Sequence, residues 1–382
     1  MLNRTSIILL SCAIIFTGCI QRSIDNDQGE ESAVNQSINL YAQGFNIDNG
    51  VDGFILNVFN PWQNANNVRY SYLLTTSEDA KREAGFNEVI HIPVSRVVCL
   101  STTHIAFIDV LDNADLIVGV SGAGFISSPN VNERLKNGLV RDVGYEQSLN
   151  FELLASLKPD VVFTYGVGTE MAGYLQKLRD LKIPVVFIGD YLEENPLGKA
   201  EWLNVFGLFT GKEQLADSIF NNIVIQYNQT KLLVEKAKDK PKVFLNLPWK
   251  DTWYMPGGQG YMARLIDDAG GNYLLSRLEG SKSYPFSIEA ALEYGINADI
   301  WLNTGSYGTL SEITQEFPIV RSFPVLKRGE VYNSNRRTNP RGGNDFWESG
   351  VVNPHIILND LVKIFHPQLL EHELVYYQKL RK

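Results

Sequence analysis

The sequence predicts an α/β fold: two doubly wound α/β lobes joined by one long rigid helix, with a small N-terminal β prefix. Three observations lead there. Between Thr210 and Lys238 apolar residues recur at helical spacing, in the rows Leu215, Ile219, Ile223 and Ala216, Phe220, Val224, Tyr227, and nothing breaks the pattern before Pro241. Thr210 and Glu213 stand in capping-box register at its start, and at 1.5 Å per residue such a helix runs roughly 40 Å. On either side, short apolar runs alternate with helical patterns, as in a parallel sheet covered by helices. The two halves also echo each other weakly. Glu152 precedes Lys158-Pro159-Asp160-Val161-Val162-Phe163, and Glu289 precedes Asn297-Ala298-Asp299-Ile300-Trp301-Leu302. A single helix between two such lobes makes a rigid hinge.

Taken in order, the chain opens with Arg4 and the apolar run Ile7 to Phe16, too short for a stable membrane span and of the length of a secretory signal. It ends in Phe16-Thr17-Gly18-Cys19, which resembles the lipobox of bacterial lipoproteins, where the chain is cut before the cysteine and the sulfur acylated. An ordinary secretory signal with a chance cysteine is the alternative. Residues 1–18 are therefore expected to be a signal peptide, with Cys19 the lipidated residue. Two or three acyl chains would hold the protein firmly at a membrane. Residues 19–38, polar and acidic, read as a flexible tether. Residues 39–93 alternate short apolar runs with Gly, Asn and Pro and read as a small antiparallel β prefix. The N-terminal lobe is placed at 94–195, the connecting helical segment at 196–240 and the C-terminal lobe at 241–382.

Removal of the signal takes away Arg4 and no acid, which leaves 33 basic residues against 43 acidic ones. That balance excludes nonspecific nucleic-acid binding, which needs a basic face. Cys99 would then be the sole thiol without a predicted modification, so no internal disulfide is available, and its apolar strand makes it core.

Ligands of doubly wound sheets bind beyond the carboxyl ends of the strands. That rule places His104 on the first-lobe rim, although a histidine at a helix start is commonly structural. Aromatic residues fall in the same loops, Tyr145 and Tyr165 in the first lobe and Trp249, Trp253 and Tyr284 in the second. Each is as easily packing as contact, but together they suit a flat or macrocyclic ligand. The segment Asn335 to Asn344 carries Arg336, Arg337 and Arg341, whose forked donors suit carboxylate or catecholate oxygens; a solvated loop is the plain alternative. Gly119-Val120-Ser121-Gly122-Ala123-Gly124 lacks the spacing of a dinucleotide fingerprint. No Walker lysine, HExxH pattern, nucleophile elbow or metal-ligand spacing of the five histidines occurs. Neither a cofactor nor a resident metal is therefore expected.

From Arg96 to Pro367 the chain resembles the substrate-binding lipoproteins of ABC importers for iron complexes and vitamin B12. The marks are Arg96-Val97-Val98 with Leu100-Ser101, Val118-Gly119-Val120-Ser121, Val143-Gly144-Tyr145 leading to Asn150-Phe151-Glu152, and Leu157-Lys158-Pro159-Asp160. In the second lobe they are Pro256-Gly257-Gly258, Asp268-Ala269-Gly270-Gly271-Asn272, Ser287-Ile288-Glu289 and Asn344-Asp345-Phe346-Trp347-Glu348. The resemblance implies one permease-docking glutamate per lobe, and Glu152 and Glu289 occupy those places. It also implies aromatic cleft walls: Tyr145, Tyr165 and Tyr284 stand at or within a residue of positions where the B12-binding members carry tryptophan. The expected function is a monomeric, lipid-anchored receptor on the extracytoplasmic face of the cell membrane. It would capture an iron complex, siderophore or haem, and pass it to an ABC permease. A cobalamin receptor of the same mechanism is the alternative. A metal-dependent enzyme on this architecture would need His104 to cluster with cleft acids. A surface adhesion lipoprotein has the β prefix as its only hint.

Overall fold

The structure, a computed structural model, describes residues 36–37, 39–77, 85–145, 148–166 and 171–382. The expected signal peptide, Cys19 and nearly all of the expected tether lie outside these residues.

The first sheet is built from β1 (Gln36–Ser37), β2 (Phe45–Gly50), β3 (Gly53–Phe59), β4 (Arg69–Thr75) and β5 (Glu88–His91), side by side in that order. It is antiparallel, as the sequence predicts, except at its far edge, where β5 runs parallel to β4. Two carboxylates anchor its start. Glu201 accepts the backbone N–H groups of Leu40, Tyr41 and Ala42 at 2.8, 2.9 and 2.6 Å. Glu193 accepts those of Gln43 and Gly44 and the Trp202 indole N–H. Bonds of this charge-assisted kind are roughly twice as strong as neutral ones. Trp202 packs on Phe45 with ring centroids 4.6 Å apart.

The second sheet is parallel: β6 (Val97–Cys99), β7 (Ile117–Val120), β8 (Arg141–Asp142), β9 (Val161–Thr164) and β10 (Val185–Phe187), in the order β10-β9-β6-β7-β8. Its connections carry α1 (Thr102–Asp109), α2 (Pro129–Lys136), α3 (Phe151–Ser156) and α4 (Met171–Asp180). The apolar runs of these strands are buried on both faces, as parallel strands between helices must be. Cys99 is wholly buried, and burial raises its thiol pKa far above the ordinary range.

Between the lobes run α5 (Pro196–Glu201), α6 (Leu203–Thr210) and α7 (Glu213–Val234). The long helix therefore has 22 residues, about 33 Å, and the expected capping box is absent. Thr210 belongs to the helix before: its hydroxyl donates to the Phe206 carbonyl at 2.8 Å, and Gly211, at φ +67, ends that helix. Helix α7 buries Ala216, Phe220, Ile223, Tyr227 and Thr230, while Leu215 from the other row is exposed.

The second lobe holds β11 (Lys242–Leu245), β12 (Thr252–Pro256), β13 (Asn272–Tyr273), β14 (Ser283–Ser287), β15 (Ile300–Leu302), β16 (Val331–Asn333) and β17 (Gln378–Lys379). Its main sheet runs β13-β11-β15-β16-β17, and β12 with β14 forms a separate antiparallel ribbon. The helices are α8 (Tyr261–Asp268), α9 (Ile288–Gly295), α10 (Leu310–Glu316), α11 (Pro324–Arg328) and α12 (Pro354–Phe365). The chain then returns to add β17, antiparallel to β16. Buried Asp360 holds this return, accepting the N–H groups of Val375, Tyr376 and Tyr377.

Candidate functional site

The parallel strands of both lobes present their carboxyl ends as a rim, and an arm of the second lobe reaches the first. After β16 the chain runs from Ser334 to Glu348 across to the loop that follows β7. The Asn339 amide donates to the carbonyls of Gly124 and Ile126 at 3.1 and 3.0 Å. Gly343 lies so close that a Cβ there would sit 2.2 Å from the Phe125 carbonyl oxygen, an approach open only to glycine. The Glu348 carboxylate accepts the N–H groups of Ser127 and Ser128, each at 2.6 Å. Burial raises the Glu348 pKa to about 7; the two N–H groups pull it down, and Asp345 and Asp109 push it up.

Beside this junction two first-lobe rings are open to solvent. Tyr145 is 43% and Phe125 48% exposed, and their centroids are 5.7 Å apart. They flank Gly122, which at φ +67 turns the chain so that both rings reach the surface. The stem of Arg341, from the second-lobe arm, lies over Gly124. Its guanidinium is exposed and has no ionic partner among the described residues. The site thus joins a tilted aromatic pair from one lobe to a cation from the other, a combination suited to a flat, anionic ligand. Farther along the rim, the half-buried Tyr165 meets Tyr191 edge-on at 6.2 Å.

The remaining expected site residues divide. Arg337 is committed to structure: its Nε donates to Asp345 at 2.9 Å, and its guanidinium lies 5.7 Å from the Tyr376 ring. Arg336 is exposed on the same arm. Trp249 is 63% exposed, with the Lys250 ammonium 4.3 Å from its ring. Tyr284 is half-buried on β14 and donates its hydroxyl to the Glu279 carbonyl at 2.7 Å. Among the described residues no contact brings it to the first-lobe rings.

Two expectations are corrected. Trp253 is not a cleft residue: it is wholly buried, packed on Phe244 and Trp301, with its indole N–H donating to the Leu245 carbonyl. On β12 alternate residues face inward, and the register puts Trp253 and Met255 on that side. His104 is not on the rim either. It is wholly buried in α1 against Phe163 and Phe206, and burial lowers its pKa to about 3. It does not cluster with cleft acids, the marker on which the enzyme reading depended. Among the described residues no group of three His, Cys, Asp or Glu side chains is disposed to hold a metal ion.

Glu152 and Glu289 occupy equivalent local positions. Each is exposed in the first turn of a short helix, α3 and α9, capped by Asn150 and Ser287 respectively. Neither has an ionic partner among the described residues.

Phe125, Asn339 and Glu348 were not singled out as site residues from the sequence. Glu348 lay within a motif that carries the resemblance. Phe125 directly follows the rim loop and could have been found by extending it one residue.

A family model described as periplasmic binding protein matches residues 97–337. An uncharacterized lipoprotein of Methanocaldococcus jannaschii is 25% identical over 408 residues, covering 97% of this chain and 94% of the relative. Among solved structures, a possible iron-binding (periplasmic solute-binding) protein from Staphylococcus epidermidis matches with TM-score 0.56 and 18% identity, covering 71% of this chain and 98% of that one. A periplasmic heme binding protein from Pseudomonas aeruginosa matches with TM-score 0.55 and 17% identity, covering 76% and 99%. At such identities the structures speak for the fold alone, that of two-lobed periplasmic binding proteins. No helix among the described residues is long and apolar enough to cross a membrane.

Proposed function

Because this chain belongs to the periplasmic binding protein family, we propose that it is a monomeric, lipid-anchored receptor that captures an iron complex, a siderophore or haem, between its lobes. It then delivers that complex to an ABC import permease. One observation carries the ligand reading: the exposed rings of Phe125 and Tyr145 in the first lobe adjoin the Gly122–Gly124 loop, over which the stem of the exposed, second-lobe Arg341 passes. Rings offer stacking area, and a guanidinium offers forked hydrogen bonds to carboxylate or catecholate oxygens. The iron-binding and heme-binding names of two structural neighbours point the same way, and the lipoprotein name of the relative agrees with acylation at Cys19. Glu152 and Glu289, exposed and unpaired on matching helices, serve as the contacts to the permease, since exposed charge steers and orients encounter.

The test is fluorescence quenching of the purified, unlipidated protein by haem, ferric siderophores and cobalamin. Saturable quenching by one ferric complex or haem is expected. Tight binding of cobalamin alone would replace the ligand class, and binding of none would overturn the receptor reading.

A further inference from the structure

The five-stranded N-terminal sheet lies outside the matched family segment, yet one of its loops stands on the ligand-side rim. Residues 60–68 connect β3 to β4. The loop is closed at its base by two bonds: Asn60 N–H donates to the Val68 carbonyl at 2.9 Å, and Val68 N–H donates to Asn60 Oδ1 at 3.1 Å. Asn60, Asn64 and Asn67 all take left-handed backbone conformations, which asparagine tolerates better than most residues.

This loop is docked rather than free. Trp62 forms a parallel backbone bridge to Gly166, two residues beyond the end of β9. A Cβ on Gly166 would lie 2.7 Å from the Trp62 Cβ and 2.8 Å from the Pro61 carbonyl oxygen. The Trp62 ring packs on Phe187 and Tyr70. Tyr191 donates its hydroxyl to the Gly166 carbonyl, and the Gln63 backbone reaches the same hydroxyl. The rim aromatics Tyr165 and Tyr191 thus have the prefix loop as their neighbour. What the loop presents is polar: Gln63, Asn64, Asn66 and Asn67 are exposed, and no described residue holds their amide groups.

We propose that the prefix loop 60–67 is a wall of the ligand cleft, with Gln63 and Asn66 as specificity-determining residues for the oxygen-rich periphery of the captured complex. The inference rests on the receptor reading above and deepens it. An amide both donates and accepts, so it can pair with carboxylate, hydroxamate or catecholate oxygens and equally with linker amides. The rings and Arg341 would then grip the face and charge of the ligand, while the amide loop reads its edge. This arrangement gives the added sheet a purpose, for Glu193 at the end of the first lobe and Glu201 and Trp202 in the connecting segment hold its start in place. A wall mounted in that way contributes contacts with little ordering cost.

The experiment compares the unlipidated full-length chain with Gln63→Ala/Asn66→Ala, both sites free of left-handed backbone, and with Gln63→Glu/Asn66→Asp. Haem and a panel of ferric hydroxamate and catecholate siderophores serve as probes, with thermal unfolding as the check on folding. The alanine pair is expected to weaken the preferred complex about tenfold, as fits two modest hydrogen bonds lost, and to narrow its margin over the others. The acidic pair is expected to weaken an anionic complex further. Unaltered affinities and rank order in both variants would overturn the inference while leaving the receptor reading intact. Failure of the parent protein to bind any probe would overturn the receptor reading and this wall with it.

Discussion

The two lobes bring different groups to their junction. In the first lobe, Tyr145 and Phe125 lie in loops beyond the strand ends and stay at the surface. In the second, Phe244, Trp253, Trp301 and Phe323 interlock in the core while Trp249 stays exposed, and the lobe also contributes an arm with Arg341 and Glu348. Repeated architecture therefore does not mean a symmetric cleft. At the junction the first lobe supplies a packed ring pair, and the second supplies an arm that carries a cation. The largest effect expected from this contrast is on stability. Trp253→Ala should cost about 3–5 kcal/mol, as for large aromatic residues removed from cores, whereas Trp249→Ala should stay within about 0.5 kcal/mol. Urea unfolding of both variants measures the difference. Similar losses would erase the distinction between a core and a rim tryptophan in this lobe.

The contrast extends to buried titratable groups. His104 in the first lobe is held neutral by burial, with its pKa lowered to about 3. Glu348 on the arm has its pKa raised to about 7. The signs oppose. Below about pH 6.5 the unfolded chain binds a proton at His104 that the folded chain refuses, so this residue's contribution is present above pH 6.5 and is lost as pH falls toward 3. For Glu348 the folded state holds the proton more firmly, so its contribution falls as pH rises from about 4.5 to 7. Each slope is at most about 1.4 kcal/mol per pH unit. His104→Leu should flatten the acid limb of a stability–pH profile, and Glu348→Gln should remove the decline toward neutrality. Profiles that coincide with the parent's would show that neither group titrates across folding as its burial requires.

What was legible in the sequence follows from the range of the interactions. Strand runs such as Val161-Val162-Phe163 and the helical rows of α7 are local patterns, and they landed within a few residues. The Thr210–Glu213 pattern misled because Gly211 sits inside it. A glycine at that spot ends one helix before the next begins, and the Thr210 hydroxyl bonds backward. Trp253 was misplaced because its loop looked long until the pairing of β12 with β14 fixed the register. The arm was invisible because its partners, Gly124 and Ser127, lie more than two hundred residues away. Of the three arginines in Asn335–Asn344, spacing alone could not tell which one a buried aspartate would claim.

That last ambiguity gives the finest test of the asymmetry between rims. Arg337 and Arg341 belong to the same loop and have the same chemistry, but Arg337 pairs with Asp345, whose side chain is 6% exposed, while Arg341 lies over Gly124 beside the open rings. Arg337→Ala would leave Asp345 with its bonds from Ser349 and should cost about 1–2 kcal/mol of stability, with ligand affinity little altered as long as the arm keeps its place. Arg341→Ala should do the reverse, leaving unfolding unmoved and weakening an anionic ligand about tenfold, as for one charge-assisted bond. Measured together by thermal unfolding and ligand titration, the two variants should separate cleanly. If Arg337 governed affinity and Arg341 governed stability, the arm would present its other face to the cleft, and the charge assigned to the second lobe would have to move with it.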